Sequence, residues 1–135
     1  MIYIPNNSLD PYFNLALEEF FFTRPDLNEK NAVSNPNPEN ELEFEPILLL
    51  WQNAPTVVVG GRQNTLEEIN LAFVEERKIH VVRRTTGGGA VYHDMGNINF
   101  TYIAKHDGEW ESDFSRFAKP VILALKKLGL HAEVS

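Results

Sequence analysis

The chain has 135 residues, 43% of them hydrophobic and nine of them Phe, a size and composition that suit one folded domain with a substantial core. A formal net charge of -7 argues against general nucleic-acid binding, which needs a basic footprint, and the absence of cysteine excludes disulfides, thiolate catalysis and Cys-based zinc sites within these residues. No apolar run approaches the ~20 residues that span a bilayer, and the start MIYIPNNSLDP lacks the features of a signal or transit peptide, so the cytoplasm is the simplest address.

Ile2 to Ile4 suits a short strand. Asp10 then reads as an N-cap and Pro11 as the first residue of a helix, where its missing N–H has no consequence. Phe13, Ala16, Leu17, Phe20 and Phe21 recur at helical spacing and predict one core-facing stripe. Asn14 and Glu18 could face a site, but a solvated polar face is the simpler expectation for them. Residues 23–46 change character, with four Pro, five Asn and six acidic residues against Arg24 and Lys30. Such a segment cannot bury enough apolar surface to offset its ordering entropy, and it reads as an exposed acidic insertion.

Ile47 to Trp51 and Thr56 to Val59 predict two strands around a short connection. The polar glycine loop Gly60-Gly61-Arg62-Gln63-Asn64 leads into Thr65-Leu66-Glu67-Glu68, a capping-box pattern. One helix or two helical turns should then run to about Lys78 with Ile69, Phe73 and Val74 inward, followed by a strand from Ile79 to Val82. Past a turn at Asp94 to Asn97, a strand over 98–103 is expected to pair with the 79–82 strand across the intervening motif. The last helix is expected from Ser112 as N-cap, kinked or broken at Pro120, with Phe114, Phe117, Val121, Leu125 and Leu128 on one side and Gly129 as its C-terminal cap. His131 to Ser135 resembles the start of a further strand.

The segment Arg83 to Asp94, RRTTGGGAVYHD, concentrates the chemistry. Consecutive glycines contribute no side chains to a core, yet their N–H groups can converge on phosphate or carboxylate oxygens. Arg83 and Arg84 add permanent charge and bidentate geometry, although neighbours in a strand face opposite ways and only one can be the main ligand. A glycine-rich hairpin bend is the structural alternative. The loop fits neither a Walker nor a Rossmann pattern. His93 and Asp94 are poorly placed to share a ligand, and His80, His106 and His131 lack metal-ligand spacing, so no metal site is expected. A histidine that secures the loop by hydrogen bonds explains His93 better than a general base does.

Taken together, these motifs resemble the N-terminal part of lipoate-protein ligases, in the superfamily shared with biotin ligases and octanoyl transferases. The resemblance is carried by Asp10-Pro11-Tyr12-Phe13-Asn14-Leu15-Ala16-Leu17-Glu18-Glu19, by Leu50-Trp51-Gln52-Asn53-Ala54-Pro55 through Gly60, by Gln63-Asn64 through Asn70, and above all by Arg83 to Asp94 followed by Gly96-Asn97. It implies an α+β fold in which a mixed, largely antiparallel sheet is flanked by helices. Residues 1–135 would be the N-terminal portion of a catalytic domain, apparently truncated and carrying its acidic insertion at 23–46. The implied activity is ATP-dependent, forming lipoyl-adenylate from lipoate with Mg2+ offsetting charge and passing the acyl group to a lysine of an acceptor lipoyl domain. Arg84, Gly87, Gly88, Gly89, Ala90, Val91 and Tyr92 would contact the nucleotide or acyl-adenylate, with Arg83, His93, Asp94 and Asn97 in support. Implied partners are the acceptor protein and a complementary chain supplying the rest of the domain, with no nucleic acid and no membrane.

Two features depart from the family pattern. Arginine comes one place late in Gly60-Gly61-Arg62-Gln63-Asn64, and the family's adenylate-binding lysine falls beyond Ser135, with Lys126 and Lys127 not matching it. Two other readings therefore stand beside the ligase. One is a non-catalytic module that binds a ligand or partner; the other is an octanoyl or lipoyl transferase with a cysteine nucleophile further on.

Overall fold

The computed structural model describes residues 1–23, 45–104 and 114–133. By its internal contacts the chain divides into two units, Met1–Ile103 and Ala104–Ser135. Nearly all of the predicted acidic insertion lies outside the described residues, as does Ser112.

The first unit is built on two three-stranded sheets rather than one. In the first sheet β2 (Ile47–Trp51) is central, parallel to β1 (Ile2–Pro5) and antiparallel to β6 (Asn99–Ile103). In the second, β3 (Thr56–Val59) is central, parallel to β4 (His80–Arg83) and antiparallel to β5 (Val91–His93). A parallel pair cannot be closed by a hairpin, and helices supply the crossovers. Helix α1 (Pro11–Thr23) lies between β1 and β2 in sequence; α2 (Thr65–Glu68) and α3 (Leu71–Glu76) lie between β3 and β4. The fold is α+β with mixed sheets, as expected, but each sheet has one parallel and one antiparallel pair, so they are not largely antiparallel.

Two expected neighbours do not pair. Strands β4 and β6 belong to different sheets, because each finds a central strand of its own and Val91–His93 forms a strand not expected from the sequence. Strands β2 and β3 are also separated, although only Gln52 to Pro55 join them. The Asn53 side chain is fully buried in that connection, and Ala54 N–H bonds to Leu9 C=O at 2.9 Å, so the chain crosses between sheets instead of folding back.

Alternation along β2 buries Ile47, Leu49 and Trp51, which cluster with Ile103. Leu15, Leu17 and Phe21 of α1 pack on this cluster, and each fully buried aliphatic side chain contributes about 1.5–3 kcal/mol. Asp10 caps α1 as expected, its Oδ1 accepting from Tyr12 N–H at 2.9 Å and Phe13 N–H at 3.3 Å. The core-facing side nevertheless matches the predicted stripe only at Leu17 and Phe21. Phe13, Ala16 and Phe20 are exposed, whereas Pro11 and Asn14 are buried. Apolar periodicity could not locate that face because Asn14 is held there by hydrogen bonds.

Asn64, not Thr65, is the N-cap of α2; its side chain accepts from Leu66 N–H and donates to Glu67 Oε1 at 2.9 Å. Asn70 restarts the chain as the N-cap of α3, so of the two expected arrangements the pair of short helical pieces is the one formed. Val74 is buried as predicted, but Phe73 is half exposed beneath the Arg77 guanidinium. In the second unit α4 (Phe114–Lys127) runs without interruption through Pro120. Gly129, at φ +81°, ends it in a Schellman arrangement, with Gly129 N–H on Lys126 C=O and Leu130 N–H on Leu125 C=O, each at 3.0 Å. Residues 131–133 form no strand.

Candidate functional site

The RRTTGGGAVYHD segment runs from the last residue of β4 through β5, and between the two strands two glycine loops interlock. Gly61 N–H donates to Thr86 C=O at 2.8 Å, and Arg84 N–H donates to Val59 C=O at 3.0 Å. A Cβ at Gly60 would stand 2.1 Å from the Gly88 carbonyl oxygen, so only glycine permits this approach. Gly88 itself adopts φ +95°.

The two arginines divide the work of holding these loops. Arg83 Nη1 donates to the carbonyls of Gly60 and Gln63 at 2.9 and 2.8 Å, and its Nη2 to Thr65 Oγ1 at 2.6 Å. Arg84 faces the other loop. Its Nη2 donates to Gly87 C=O at 2.8 Å and Gly89 C=O at 2.7 Å, and its Nη1 to Val58 C=O at 3.2 Å. With the peptides of the glycine loop trans, the N–H groups that follow those glycine carbonyls, on Gly88 and Ala90, point away from the guanidinium. Neither N–H has a hydrogen-bond partner among the described residues. Arg62 is exposed and makes no hydrogen bond or ion pair among them.

Beside the loop lies a cleft of about 760 Å3. Of the residues singled out from the sequence, Arg83, Arg84, Val91, Tyr92, His93 and Asn97 line it; Gly87, Gly88, Gly89, Ala90 and Asp94 do not. Asp94 instead secures the following turn, its Oδ1 accepting from Gly96 N–H at 2.8 Å. Much of the remaining wall is apolar, including Leu15, Phe22, Trp51, Phe100 and Ile103. One polar chain crosses it: Trp51 Nε1 donates to Thr101 Oγ1 at 3.1 Å, and Thr101 donates to Glu18 Oε1 at 2.6 Å.

Asn14 and Glu18 therefore do not form a solvated face. Asn14 is 1% exposed; it donates to Ser8 C=O, Gln52 C=O and Asn53 Oδ1 at 3.0, 2.8 and 2.9 Å, and accepts from Asn6 Nδ2 at 2.9 Å. Asn53 then reaches His93 Nδ1 at 3.1 Å. His93 stands edge-on to Trp51, and burial, assisted by the positive charge of Arg84, lowers its pKa from the usual 6.5. The expectation that His93 secures the glycine loop by hydrogen bonds is not met: its ring contacts Asn53 and Asn99, which lie outside that loop. Sequence reading from the residues missed Trp51, Asn53, Asn99 and Thr101 as site-building groups; the signal available was their place in or beside the motif strings. Among the described residues no group of three or more His, Asp or Glu side chains is arranged to hold a metal ion, and no helix is long and apolar enough to cross a membrane.

An apolar cleft with an arginine-braced glycine loop along one side defines a ligand-binding α+β domain, suited to a molecule with an anionic head and an apolar tail. The sequence pattern of the lipoyl protein ligase A/B catalytic domain matches residues 10–135, and the chain belongs to that family. It is 45% identical to lipoate-protein ligase LplJ of Bacillus subtilis across all of this chain and 36% of that protein. Among solved structures, LipL1 of P. falciparum in complex with lipoate superimposes with a TM-score of 0.80 at 32% identity, covering 99% of this chain and 38% of that one. A bi-partite lipoate-protein ligase of Thermoplasma acidophilum, described with its E2 lipoyl domain, gives 0.73 at 28% identity, over 100% of this chain and 46% of that one. Lipoate-protein ligase A bound with ATP gives 0.68 at 26%, over 100% and 49%. The chain thus spans about a third of the curated relative's length and no more than half of these solved chains.

Proposed function

We propose that this chain is the N-terminal portion, residues 1–135, of a lipoate-protein ligase catalytic domain, acting in the cytoplasm and supplying the glycine-loop half of the site. The observation that carries the reading is a largely apolar cleft with Arg84, Val91 and Tyr92 in its wall, next to a glycine loop whose Gly88 and Ala90 N–H groups have no partner among the described residues. The N–H groups offer themselves to the acyl carbonyl or phosphate oxygens of a lipoyl-adenylate, and Arg84 keeps them in place while adding positive charge. Val91 and Tyr92 cover the nucleotide end, and the wall around Leu15, Trp51 and Phe100 takes the acyl tail.

Adenylation needs no protein nucleophile: a lipoate oxygen attacks the α-phosphorus of ATP, and pyrophosphate leaves. The contribution of these residues is to orient the carboxylate, exclude water and stabilise developing charge. Mg2+, if used, would be held chiefly by the nucleotide's own phosphates, since no ready cage of three side chains exists among the described residues. Transfer to a lysine of an acceptor lipoyl domain would draw on residues supplied by a complementary portion of the domain; the bi-partite archaeal relative supports that arrangement.

The test combines the chain with ATP, Mg2+, lipoate and a lipoyl domain, with and without the remainder of the domain supplied as a second chain. Lipoyl-adenylate should form in the complemented mixture, and its absence there counts against the reading. Within it, Arg84→Ala should weaken adenylate binding by about 1.5–3 kcal/mol, as for a lost hydrogen bond to a charged group. Unchanged affinity by calorimetry would remove Arg84 from the site.

A further inference from the structure

His93 carries one polar atom for which the described protein supplies no partner. Its Nδ1 lies 3.1 Å from Asn53 Nδ2 and 3.5 Å from Asn99 Nδ2. The direction of these bonds follows from the amides behind them. The Asn14 nitrogen faces the backbone carbonyls of Ser8 and Gln52, at 3.0 and 2.8 Å; carbonyls only accept, so the nitrogen and not the oxygen of Asn14 must stand there. The Asn53 atom 2.9 Å from that nitrogen is then its oxygen, which turns the Asn53 NH2 toward His93. A donor on Asn53 makes Nδ1 an acceptor, and a neutral imidazole with an accepting Nδ1 has its proton on Nε2. His93 is only 9% exposed, it lines the cleft, and its Nε2 meets no acceptor among the described residues. A buried N–H in that position calls for an acceptor brought by a ligand.

We infer that Asn53 is a positioning residue acting through His93: it fixes the Nε2–H tautomer, and His93 thereby presents a neutral donor to an oxygen of the acyl ligand bound in the cleft. The identity of the acceptor rests on the acyl-site reading above; the tautomer does not. Trp51 and Val91, which share the cleft wall, offer no acceptor through their side chains, whereas the positive charge of Arg84 favours a ligand oxygen carrying negative charge. A neutral donor adds direction at that point without placing a second positive charge beside Arg84.

Long-range 1H–15N NMR on the labelled full chain reads the tautomer directly. At neutral pH the His93 ring should show an unprotonated Nδ1 and a protonated Nε2; the opposite tautomer, or an imidazolium, overturns the assignment. R-lipoate is then titrated in while calorimetry follows binding. The Nε2–H resonance should shift with saturation and Nδ1 should stay an acceptor. Binding without a shift at Nε2–H overturns the ligand half of the inference. No binding at all counts against the acyl-site reading and overturns the ligand half with it, but an Nε2–H tautomer in the same sample still upholds the role of Asn53. Asn53→Asp replaces the donor by an acceptor and should move the proton to Nδ1; an unchanged tautomer in the folded variant sinks that role. His93→Gln keeps an N–H near the Nε2 position but offers the Asn53 NH2 no acceptor at the Nδ1 position. It should bind lipoate within about threefold of the unaltered chain, whereas His93→Phe should lose roughly tenfold. Equal losses in both overturn the donor assignment.

Discussion

Asn14 ties α1 both to the segment that precedes it and to the connection between β2 and β3. From one buried position it satisfies Ser8 C=O and Gln52 C=O, accepts from Asn6 and orients Asn53, so a change at this residue reaches His93 without touching it. Asn14→Ala should destabilise the fold by about 2–3 kcal/mol, because buried acceptors lose their donor. Asn14→Asp should do worse, since it sets a carboxylate against those acceptors; urea denaturation with both variants checks the order. His93 links the same network to pH. Its folded pKa lies below the ordinary 6.5, so below that pH the unfolded chain takes up more protons than the folded one. This contribution is complete above pH 6.5 and declines as pH falls toward and through the folded value. Thermal melts between about pH 7.5 and 5 should therefore lose stability toward acid, with a shallower fall in His93→Gln. Parallel falls in the two proteins would show that His93 is not the group responsible.

At the scale of elements, the junction between the Gly60–Gly61 turn and the Gly87–Gly89 loop sets the shape of the site. Arg83 holds the first loop and Arg84 the second, and Gly60 lets their backbones meet. Gly60→Ala would press its methyl group against a backbone oxygen that cannot swing aside. A loss of about 1–3 kcal/mol is expected, as for overpacking, together with weaker ligand binding. Gly87→Ala is the control for stability: nothing lies within 4 Å of a Cβ there, and its φ is not in the left-handed region. Comparable urea midpoints for the two variants would contradict the interlock.

For the whole molecule, large apolar side chains remain uncovered, among them Phe22 at 68% and Ile98 at 69% exposure on the cleft wall. Outer strands add open backbone: β1 and β6 in one sheet and β4 and β5 in the other, among the described residues. The isolated chain should therefore self-associate or capture a complementary chain. The net charge of -7 resists this, so association should strengthen as salt screens the repulsion. Light scattering that reports a monodisperse monomer at high ionic strength would refute the expectation.

Local physics made several features readable in advance. Asp10 before Pro11 specifies a helix start through bonds spanning two or three residues, and Gly129 specifies a helix end because glycine readily enters the left-handed region. The β-branched runs at 47–51 and 56–59 were legible as strands, and three adjacent glycines between arginines as a place that needs bare backbone. Partnership was not legible. Nothing within Ile47–Val59 states that its two strands enter different sheets, because that is decided by an Asn53 side chain whose partners lie 39 and 40 positions away. The same holds for Asn14, which looks solvated in a helical projection and whose burial depends on pairing with Gln52 and Asn53, 38 and 39 positions away. The sequence by itself determined the family, the caps and the motif, all written in residues near one another along the chain. Tertiary structure alone decided which polar groups are buried, which strands are central and which way the His93 proton faces, since hydrogen bonds between remote segments are fixed only when those segments meet.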